Sequence, residues 1–374
     1  MIKHSFTPKS SHEPLGVYLH IPFCRSKCPY CDFYSYRCNK DEAEEYVIAL
    51  IDEINTLRRT SDFSPEHFKA DTLYLGGGTP SVLNGEQLKR IITAAKNKFK
   101  MDNTCEITVE CNPSSDIESL IPVFTETGVN RISLGMQSAV DFERRSLGRT
   151  ADKTRIKYVI ELLKANGIKN ISLDIMLGIP DQTAESLKET LDFAVSCGVQ
   201  HISAYILKIE DGTFFSKNTD HYNFPDEDSV CDMYEQCSKY LRNAGFSHYE
   251  ISNFALPGYE SRHNTNYWEL GNYLGIGAAA HSYIDGKRFY FESDSKGFID
   301  GKKAVFDCCG GDSEEYIMLR LRLKNGLNLH SLKELYPEVD TEAIKKESLL
   351  LKEQGLVNCN SEIISLTEKG YLVS

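Results

Sequence analysis

Residues 16–36, GVYLHIPFCRSKCPYCDFYSY, decide the fold, because an apolar segment there runs directly into a cysteine-rich loop. The cysteines Cys24, Cys28 and Cys31 follow a C-x3-C-x2-C spacing that can bring three thiolates to one small inorganic centre. Structural zinc sites and iron–sulfur cubanes normally take four protein ligands. A set of three therefore predicts a metal centre whose last ligand comes from outside the chain.

Composition and charge limit the classes of function. The chain of 374 residues carries a formal net charge of −12 at pH 7. General affinity for nucleic acid or for anionic membranes depends on positive charge, so neither is expected. The sequence has no apolar run long enough to span a membrane, and its start, MIKHSFTPKSSHEPLG, lacks the apolar core of a signal peptide. We therefore expect a cytoplasmic protein whose cysteines are mostly reduced.

Short apolar segments alternate with segments of helical period along most of the chain. The strand candidates are residues 17–21, 72–75, 105–110, 131–135, 171–177 and 201–207. This alternation predicts an α/β fold of repeated βα units, arranged as an open doubly wound sheet or as an incomplete barrel. Periodicity alone leaves both arrangements open. In either one, functional residues collect in the loops at the carboxyl ends of the strands.

Polar motifs follow several of these strand candidates. Residues 76–80, GGGTP, lack the spacing of a phosphate loop and indicate either a tight turn or a place where backbone groups approach a ligand. Glu110 and Asp174 lie late in segments that otherwise look buried, and Gln137 and Arg149 follow the fourth strand. Each alone is more often a surface ion pair or a helix cap. Together, at one predicted edge of the sheet, they indicate a ligand site.

The cysteine and glycine motifs together resemble the radical S-adenosylmethionine superfamily. An aromatic residue, Tyr30, stands before the last cysteine, and the glycines lie in YLGGGTPSVL. The resemblance implies an incomplete (β/α)6 TIM-like barrel that holds a [4Fe-4S] cluster. It implies that Cys24, Cys28 and Cys31 ligate the cluster and that S-adenosylmethionine supplies the outside ligand.

The same resemblance implies a binding site for S-adenosylmethionine. The loop formed by Gly76, Gly77, Gly78 and Thr79 would hold the methionine amine. The residues that would surround the cofactor are Tyr18, Tyr30, Glu110, Gln137, Arg149 and Asp174.

Longer segments are similar to the oxygen-independent coproporphyrinogen III oxidase family and its HemW haem-chaperone branch. These segments include YLHIPFC, RISLGMQS, LDIMLGIPDQT and YLGIGAAAHS, and the similarity extends from about residue 16 to the end of the chain. The oxidase branch has a fourth cysteine where this chain has Phe33, and a longer N-terminal arm. Both departures disfavour oxidase activity. HNTNYW, at residues 263–268, instead fits the HemW pattern H-N-x-x-Y-W.

That hexapeptide predicts a haem site within the family resemblance. A neutral imidazole at His263 can ligate haem iron, while Tyr267 and the single tryptophan, Trp268, offer flat apolar area to a porphyrin. The alternative is a hydrogen-bonded histidine among core aromatics. His281, in GAAAHS, is a second candidate ligand.

The resemblance predicts a haem chaperone that binds haem and passes it to an acceptor protein, which is either soluble or associated with a membrane. Such a chain would retain the ability to cleave S-adenosylmethionine. The alternative function is an oxygen-independent coproporphyrinogen III oxidase or another radical enzyme acting on porphyrins. A third hypothesis treats the cluster as a structural or redox-sensing element only.

The sequence also predicts a domain division. Residues 1–15 form an N-terminal tail, and residues 16–245 form the partial barrel of the superfamily. Residues 246–312 are aromatic and glycine-rich, and they predict a capping and haem-contact region with a linker. Residues 313–374 predict helices followed by a β-hairpin, as in a winged-helix-like domain, but acidic residues outnumber basic ones there, which disfavours DNA binding.

Overall fold

The computed structural model describes residues 13–57 and 68–374. Residues 1–12 of the predicted tail lie outside the described residues. The first strand already begins at Glu13, inside the range predicted for that tail.

Six parallel strands and the helices between them form the main body. The strands are β1 (Glu13–Ile21), β2 (Phe68–Gly77), β3 (Glu106–Cys111), β4 (Arg131–Gln137), β5 (Asn170–Leu177) and β6 (His201–Ile206). The intervening helices are α1 (Lys40–Thr56), α2 (Gly85–Lys98), α3 (Ile117–Thr127), α4 (Asp141–Ser146), α5 (Lys153–Ala165) and α6 (Ala184–Ser196). All six predicted strands are confirmed.

The order of these strands settles the choice that periodicity left open. Each strand from β1 to β6 pairs with the next one along the chain, so the order never reverses. A doubly wound sheet reverses its order at a switch point, whereas a barrel does not. The sheet does not close, because β6 pairs with a later antiparallel strand rather than with β1. The predicted incomplete barrel is therefore confirmed.

Alternation along each strand separates a core face from an inner face. On β1, Val17, Leu19 and Ile21 are fully buried with the helices, while Tyr18 and His20 point to the other side. Helix α1 begins after Asn39, whose side chain accepts a hydrogen bond from the Glu42 amide. Because the helices pack on the apolar face of β1, polar side chains on the inner face can contribute to a ligand site.

Residues 246–312, which the sequence predicts to be a capping and haem-contact region with a linker, contribute strands to both edges of the sheet. Strands β7 (Ser247–Glu250) and β8 (Asn253–Ala255) lie beside β6. Strands β9 (Tyr273–Ile276), β10 (His281–Ile284), β11 (Lys287–Tyr290) and β12 (Val305–Cys309) lie beside β1. The short helix α7 (Phe214–Lys217) and the long helix α8 (Glu227–Asn243) precede these strands. The short helices α9 (Arg262–Trp268) and α10 (Ser295–Ile299) lie between them.

The C-terminal module has the predicted winged-helix-like pattern. It contains α11 (Ser313–Leu321), β13 (Leu327–Asn328), α12 (Leu329–Leu335), α13 (Thr341–Glu353), β14 (Val357–Cys359), β15 (Ile363–Leu366) and α14 (Glu368–Tyr371). Its three strands form a separate antiparallel sheet over a small apolar core. The module is joined to the main body beside β7, where the Ile251 amide donates to the Arg322 carbonyl at 3.0 Å. Within the described ranges, no helix has both the length and the apolar character needed to cross a membrane.

A buried carboxyl group, Glu250, lies at this junction. Glu250 is 1% exposed, and burial raises its pKa to about 7 despite the opposing effects of Asn253 and Arg322. The folded protein therefore binds this proton more tightly than the unfolded chain, so stability falls as pH rises from the ordinary carboxyl pKa toward 7. Relative to wild type, Glu250→Gln should gain about 3 kcal/mol of unfolding free energy between pH 4 and pH 8.

Urea unfolding across that pH range measures this gain. Glu353→Gln is the matched control, because Glu353 is exposed. If the unfolding free energies of wild type and of Glu250→Gln depended on pH in the same way, the raised pKa of Glu250 would be contradicted.

Candidate functional site

The cysteine loop leaves the end of β1 and is closed at its base by backbone hydrogen bonds. The Cys24 amide donates to the Tyr36 carbonyl at 2.9 Å, and the Tyr36 amide donates to the Pro22 carbonyl at 2.9 Å. Within the loop, the Cys31 amide donates to the Cys28 carbonyl at 3.2 Å. These bonds hold all three predicted ligands at the carboxyl end of the first strand.

The three thiols are electrostatic neighbours. Burial raises the pKa of Cys31, Lys27 lowers it, and Cys28 and Cys24 raise it further. Among the described residues, no three His, Cys, Asp or Glu side chains are grouped so that they could hold a single metal ion. In a [4Fe-4S] cluster each thiolate binds a different iron, so the sulfur atoms need not converge on one point. Three thiolates on one loop therefore fit a cluster better than a mononuclear site.

The glycine loop after β2 packs directly on the cysteine loop. The Gly78 amide donates to the Ile21 carbonyl at 2.8 Å, and the Thr79 amide donates to the Phe23 carbonyl at 2.8 Å. A Cβ on Gly78 would lie 2.7 Å from the Phe23 oxygen and 2.8 Å from the Ile21 oxygen. The glycine is thus required by the close approach of two backbones. The Thr79 hydroxyl also lies 3.5 Å from the Cys24 sulfur.

Gly78→Ala should therefore disturb the cysteine loop. Because its new Cβ would meet backbone rather than flexible side chains, we expect a loss of about 1–3 kcal/mol in unfolding free energy and a lower iron content. Denaturant unfolding and iron analysis measure the two effects. Gly258→Ala is the control, since no atom lies within 4 Å of its added Cβ. Its φ of +85° adds backbone strain instead, so iron loss caused by strain alone would appear in this variant. Equal iron loss in both variants would contradict the packing argument.

Two acidic side chains lie on the inner face, Glu110 on β3 and Asp174 on β5, with β4 between them. The Tyr74 hydroxyl donates to Glu110 at 2.7 Å, and the Gly77 amide donates to its other oxygen at 3.2 Å. Burial raises the pKa of Glu110 to about 7, and Asp174 raises it further. Asp174 accepts from the Ser133 hydroxyl at 3.0 Å, and burial raises its pKa too. Both residues still have part of their surface exposed on the inner face, so their carboxyl groups can accept hydrogen bonds from hydroxyl or amine groups of a ligand.

Arg149 connects the cysteine loop with this acidic pair. Its guanidinium donates to the Tyr30 hydroxyl at 2.6 Å. Burial opposes its charge, but Tyr30, Cys28 and Asp174 raise the pKa of Arg149 overall. The Arg149 Nε and the Gln137 Oε1 are buried and have no hydrogen-bond partner among the described residues. Unpartnered buried groups of opposite hydrogen-bonding character indicate a polar ligand between the cysteine loop and the strand ends.

Helix α9 carries the predicted haem motif into the interior of the barrel. His263 is 1% exposed, and its backbone amide donates to Glu106, the first residue of β3, at 3.1 Å. Its ring stacks on Tyr74 with centroids 5.0 Å apart. His263 therefore lies toward the amino ends of the strands, away from the cysteine loop. Tyr267 lies one turn further along the helix.

This geometry conflicts with the predicted axial role of His263. One ring nitrogen lies 2.7 Å from the Thr72 hydroxyl, and the other lies 2.8 Å from the Tyr267 hydroxyl. Burial lowers the pKa of His263 to about 3, so the ring is neutral. Both nitrogens are engaged in the described conformation, and iron ligation would require one of these hydrogen bonds to break. In its observed environment His263 is a hydrogen-bonded histidine among core aromatics, which is the alternative that the sequence left open.

Tyr267 and Trp268 instead line a cavity of about 670 Å³ beside the barrel mouth. This volume is typical of small-molecule and cofactor sites. The wall is mainly aromatic and also contains histidine, arginine and leucine; it includes Tyr18, His20, Phe33, Tyr34, Tyr267, Trp268, Tyr273, His281, Tyr283, Arg288 and Leu319. The cavity therefore joins the cysteine loop, α9, the added strands and the C-terminal module.

Comparison with known proteins agrees with these motifs. The model of the radical SAM superfamily matches residues 18–194, and that of the HemN C-terminal domain matches residues 313–373. A protein named "Heme chaperone HemW" from Lactococcus lactis is 34% identical over 96% of this chain and 95% of its own length. The protein of the same name from Escherichia coli is 34% identical over 83% of both chains. The chain belongs to the HemW family.

The fold of this HemW-family chain is shared with a solved oxidase. The crystallised coproporphyrinogen III oxidase (HemN) from Escherichia coli superposes with a TM-score of 0.82, covering 98% of this chain and 89% of that chain at 22% identity. This likeness concerns the fold alone. Membership of the HemW family, within the radical SAM superfamily, implies a [4Fe-4S] cluster and S-adenosylmethionine as cofactors. The donor set around Cys24, Arg149 and Glu110 fits them.

Several site residues of this HemW-family chain were missed by sequence reasoning. They are inner-face residues of the strands that contact the predicted ones: His20, Tyr74, Ser133 and Ser203. Each lies two residues from another inner-face residue, because strand side chains alternate between faces. A polar residue at every second position of an otherwise apolar strand is the signal that could have found them.

Proposed function

We propose that this protein is a haem chaperone, which binds haem in the aromatic cavity and transfers it to an acceptor protein. The observation that carries the proposal is the cavity itself, because it lies between the cysteine loop and the family motif on α9. Its flat aromatic walls suit a macrocycle, whose burial is driven mainly by apolar area. The relatives at 34% identity are named as haem chaperones.

We propose that Cys24, Cys28 and Cys31 hold the cluster and that the residues around Arg149 hold S-adenosylmethionine. When bound, this pair of cofactors would supply one-electron reductive chemistry on S-adenosylmethionine, with the electron delivered to the cluster by an external reductant. Glu110 and Asp174 then accept hydrogen bonds from the ligand, while the unpartnered Nε–H of Arg149 donates a hydrogen bond to it. The Gly76–Thr79 segment, residues 76–79, keeps backbone groups close to the cysteine loop.

Trp268 and Tyr267 would contact the macrocycle, and His281 would ligate its iron. One face of the Trp268 ring is covered by the Arg322 guanidinium at 4.3 Å. His281 lines the cavity, is exposed and stacks on Tyr290 with centroids 5.5 Å apart. Its ring nitrogens have no hydrogen-bond partner within the part of the chain that the structure describes, which leaves them available to iron. In this proposal His263 orients Tyr267 through its hydrogen bond and does not touch iron.

Phe33 separates this proposal from oxidase activity. It is 65% exposed at the end of the cysteine loop and lines the cavity, at the position where the oxidase branch has a cysteine. We expect no protoporphyrinogen when reconstituted protein is incubated with coproporphyrinogen, reductant and S-adenosylmethionine. Mass spectrometry of the products measures the conversion. The Escherichia coli oxidase serves as the positive control. Repeated turnover by this chain would favour the oxidase function.

A cytoplasmic location belongs to the same proposal. The twelve free cysteines suit a reducing compartment. The acceptor protein, soluble or membrane-associated, would approach the exposed side of the cavity near His281.

A further inference from the structure

The cavity wall contains one permanently charged cation among the described residues that line it, Arg288 on β11. Its guanidinium donates to the Tyr273 hydroxyl at 3.1 Å and lies 4.9 Å from the centre of the Tyr283 ring. It also pairs with Glu315, in the first turn of α11. An arginine has five N–H donors, and the hydrogen bonds formed here use only two of them. A cation with unused donors in an aromatic cavity is placed to bind an anionic group of the cargo.

The pair also connects two parts of the fold. Arg288 belongs to the main sheet, whereas Glu315 belongs to the C-terminal module, and residues 310–312 link β12 of the sheet to α11 of the module. A Cβ on Gly310 would lie 2.9 Å from the Arg288 Nε and 2.9 Å from a Glu315 oxygen. The linker backbone therefore covers one side of the ion pair. The side that remains open is the cavity.

Glu315 can leave the arginine without becoming isolated. Its second oxygen accepts from the Gly311 amide at 2.6 Å. It also lies in the first turn of α11, where the helix dipole stabilises a negative charge. Both interactions persist if a different carboxylate takes its place on Arg288.

Haem carries two propionate carboxylates, the same chemical group as the Glu315 side chain. Building on the proposed function, we propose that Arg288 binds a propionate of the cargo and that Glu315 occupies this position when the cargo is absent. Loading then exchanges one carboxylate for another and releases the first turn of α11 from the sheet. Arg288 is thus a specificity-determining residue for dicarboxylic porphyrins, and Glu315 is a built-in competitor.

The test compares haem with haem dimethyl ester, in which both propionates are masked. Because Trp268 is the only tryptophan and lines the cavity, quenching of its fluorescence reports a porphyrin bound near the cavity. Wild type should bind haem on the order of 10-fold more tightly than the ester. Arg288→Gln should bind both ligands as weakly as wild type binds the ester, and Arg288→Lys should keep part of the preference. Glu315→Gln should bind haem several-fold more tightly than wild type.

Arg320→Gln is the matched control. Arg320 pairs with Glu269 at 3.5 Å across the same junction and does not line the cavity, so its loss should leave the preference unchanged. Equal binding of haem and ester by wild type, or an unchanged preference in Arg288→Gln, would overturn the inference while leaving haem binding intact. Weaker haem binding by Glu315→Gln would overturn the claim that Glu315 competes with the propionate for Arg288. Failure of wild type to bind either ligand would instead reject the proposed function, and this inference with it.

Discussion

Replacing Cys24, Cys28 and Cys31 together with alanine should reduce the iron of anaerobically reconstituted protein from about four atoms per chain to nearly none. The reason is that these three cysteines form the C-x3-C-x2-C loop. Cys38 is an electrostatic neighbour of Cys24 but lies outside that spacing, and Phe33 occupies the position where the oxidase branch has a thiol. Iron analysis and the cubane absorption band measure the loss. The wild-type signal should also shift when S-adenosylmethionine is added, and the variant should show no shift.

A triple variant outside the loop provides the control. Cys231, Cys308 and Cys309 are exposed or half-exposed, so their replacement with alanine should not disturb the core. That variant should retain wild-type iron. Retention of full iron by the loop variant would show that the ligands lie elsewhere in the chain.

Trp268→Ala should weaken haem binding on the order of 100-fold, because a large aromatic wall of the cavity is lost. The Soret band of the remaining complex should keep its position, since the tryptophan does not ligate iron. Tyr283→Phe is a mild control, because it removes one hydroxyl from the wall and keeps the ring beside Arg288. Haem titration monitored by absorbance measures both quantities, and iron content should be unchanged in both variants.

The two histidines separate the axial ligand from the core histidine. His281→Ala should shift the Soret band and weaken binding, because an exposed imidazole at the cavity is removed. His263→Ala should lower the unfolding free energy by about 1–3 kcal/mol, since the Thr72 and Tyr267 hydroxyls lose their buried partner. It should leave the Soret position unchanged. If the Soret band shifted in His263→Ala but not in His281→Ala, His263 rather than His281 would be the axial ligand of the haem iron.

Local pattern was sufficient for the strands and for the edge of the sheet that carries the site. The apolar segments 17–21 and 72–75 lie inside β1 and β2, and both observed strands begin earlier because they pair from Glu13 and Phe68 onward. The order of the six strands could not be predicted from periodicity. It depends on pairing between distant segments, which leaves no trace in the spacing of apolar residues.

The position of α9 was not predictable for a related reason. The motif HNTNYW has aromatic and polar residues that suit both a ligand site and a core helix. What decides between them is Glu106, which holds the start of the helix at the amino end of β3. The added strands β9 to β12 were also missed, because short segments such as Tyr273–Ile276 are interrupted by glycine and lack a clear period. Those strands supply His281 and Arg288 to the cavity.

The most direct test of the central claim is a haem titration of anaerobically reconstituted wild-type protein, monitored by the Soret band and by quenching of Trp268. The account predicts saturation at one haem per chain, with both signals reaching their end point together and with the cluster intact. The bound haem should then pass to a haem-free acceptor protein. No saturable binding, or a Soret change that leaves Trp268 fluorescence untouched, would contradict haem binding in this cavity.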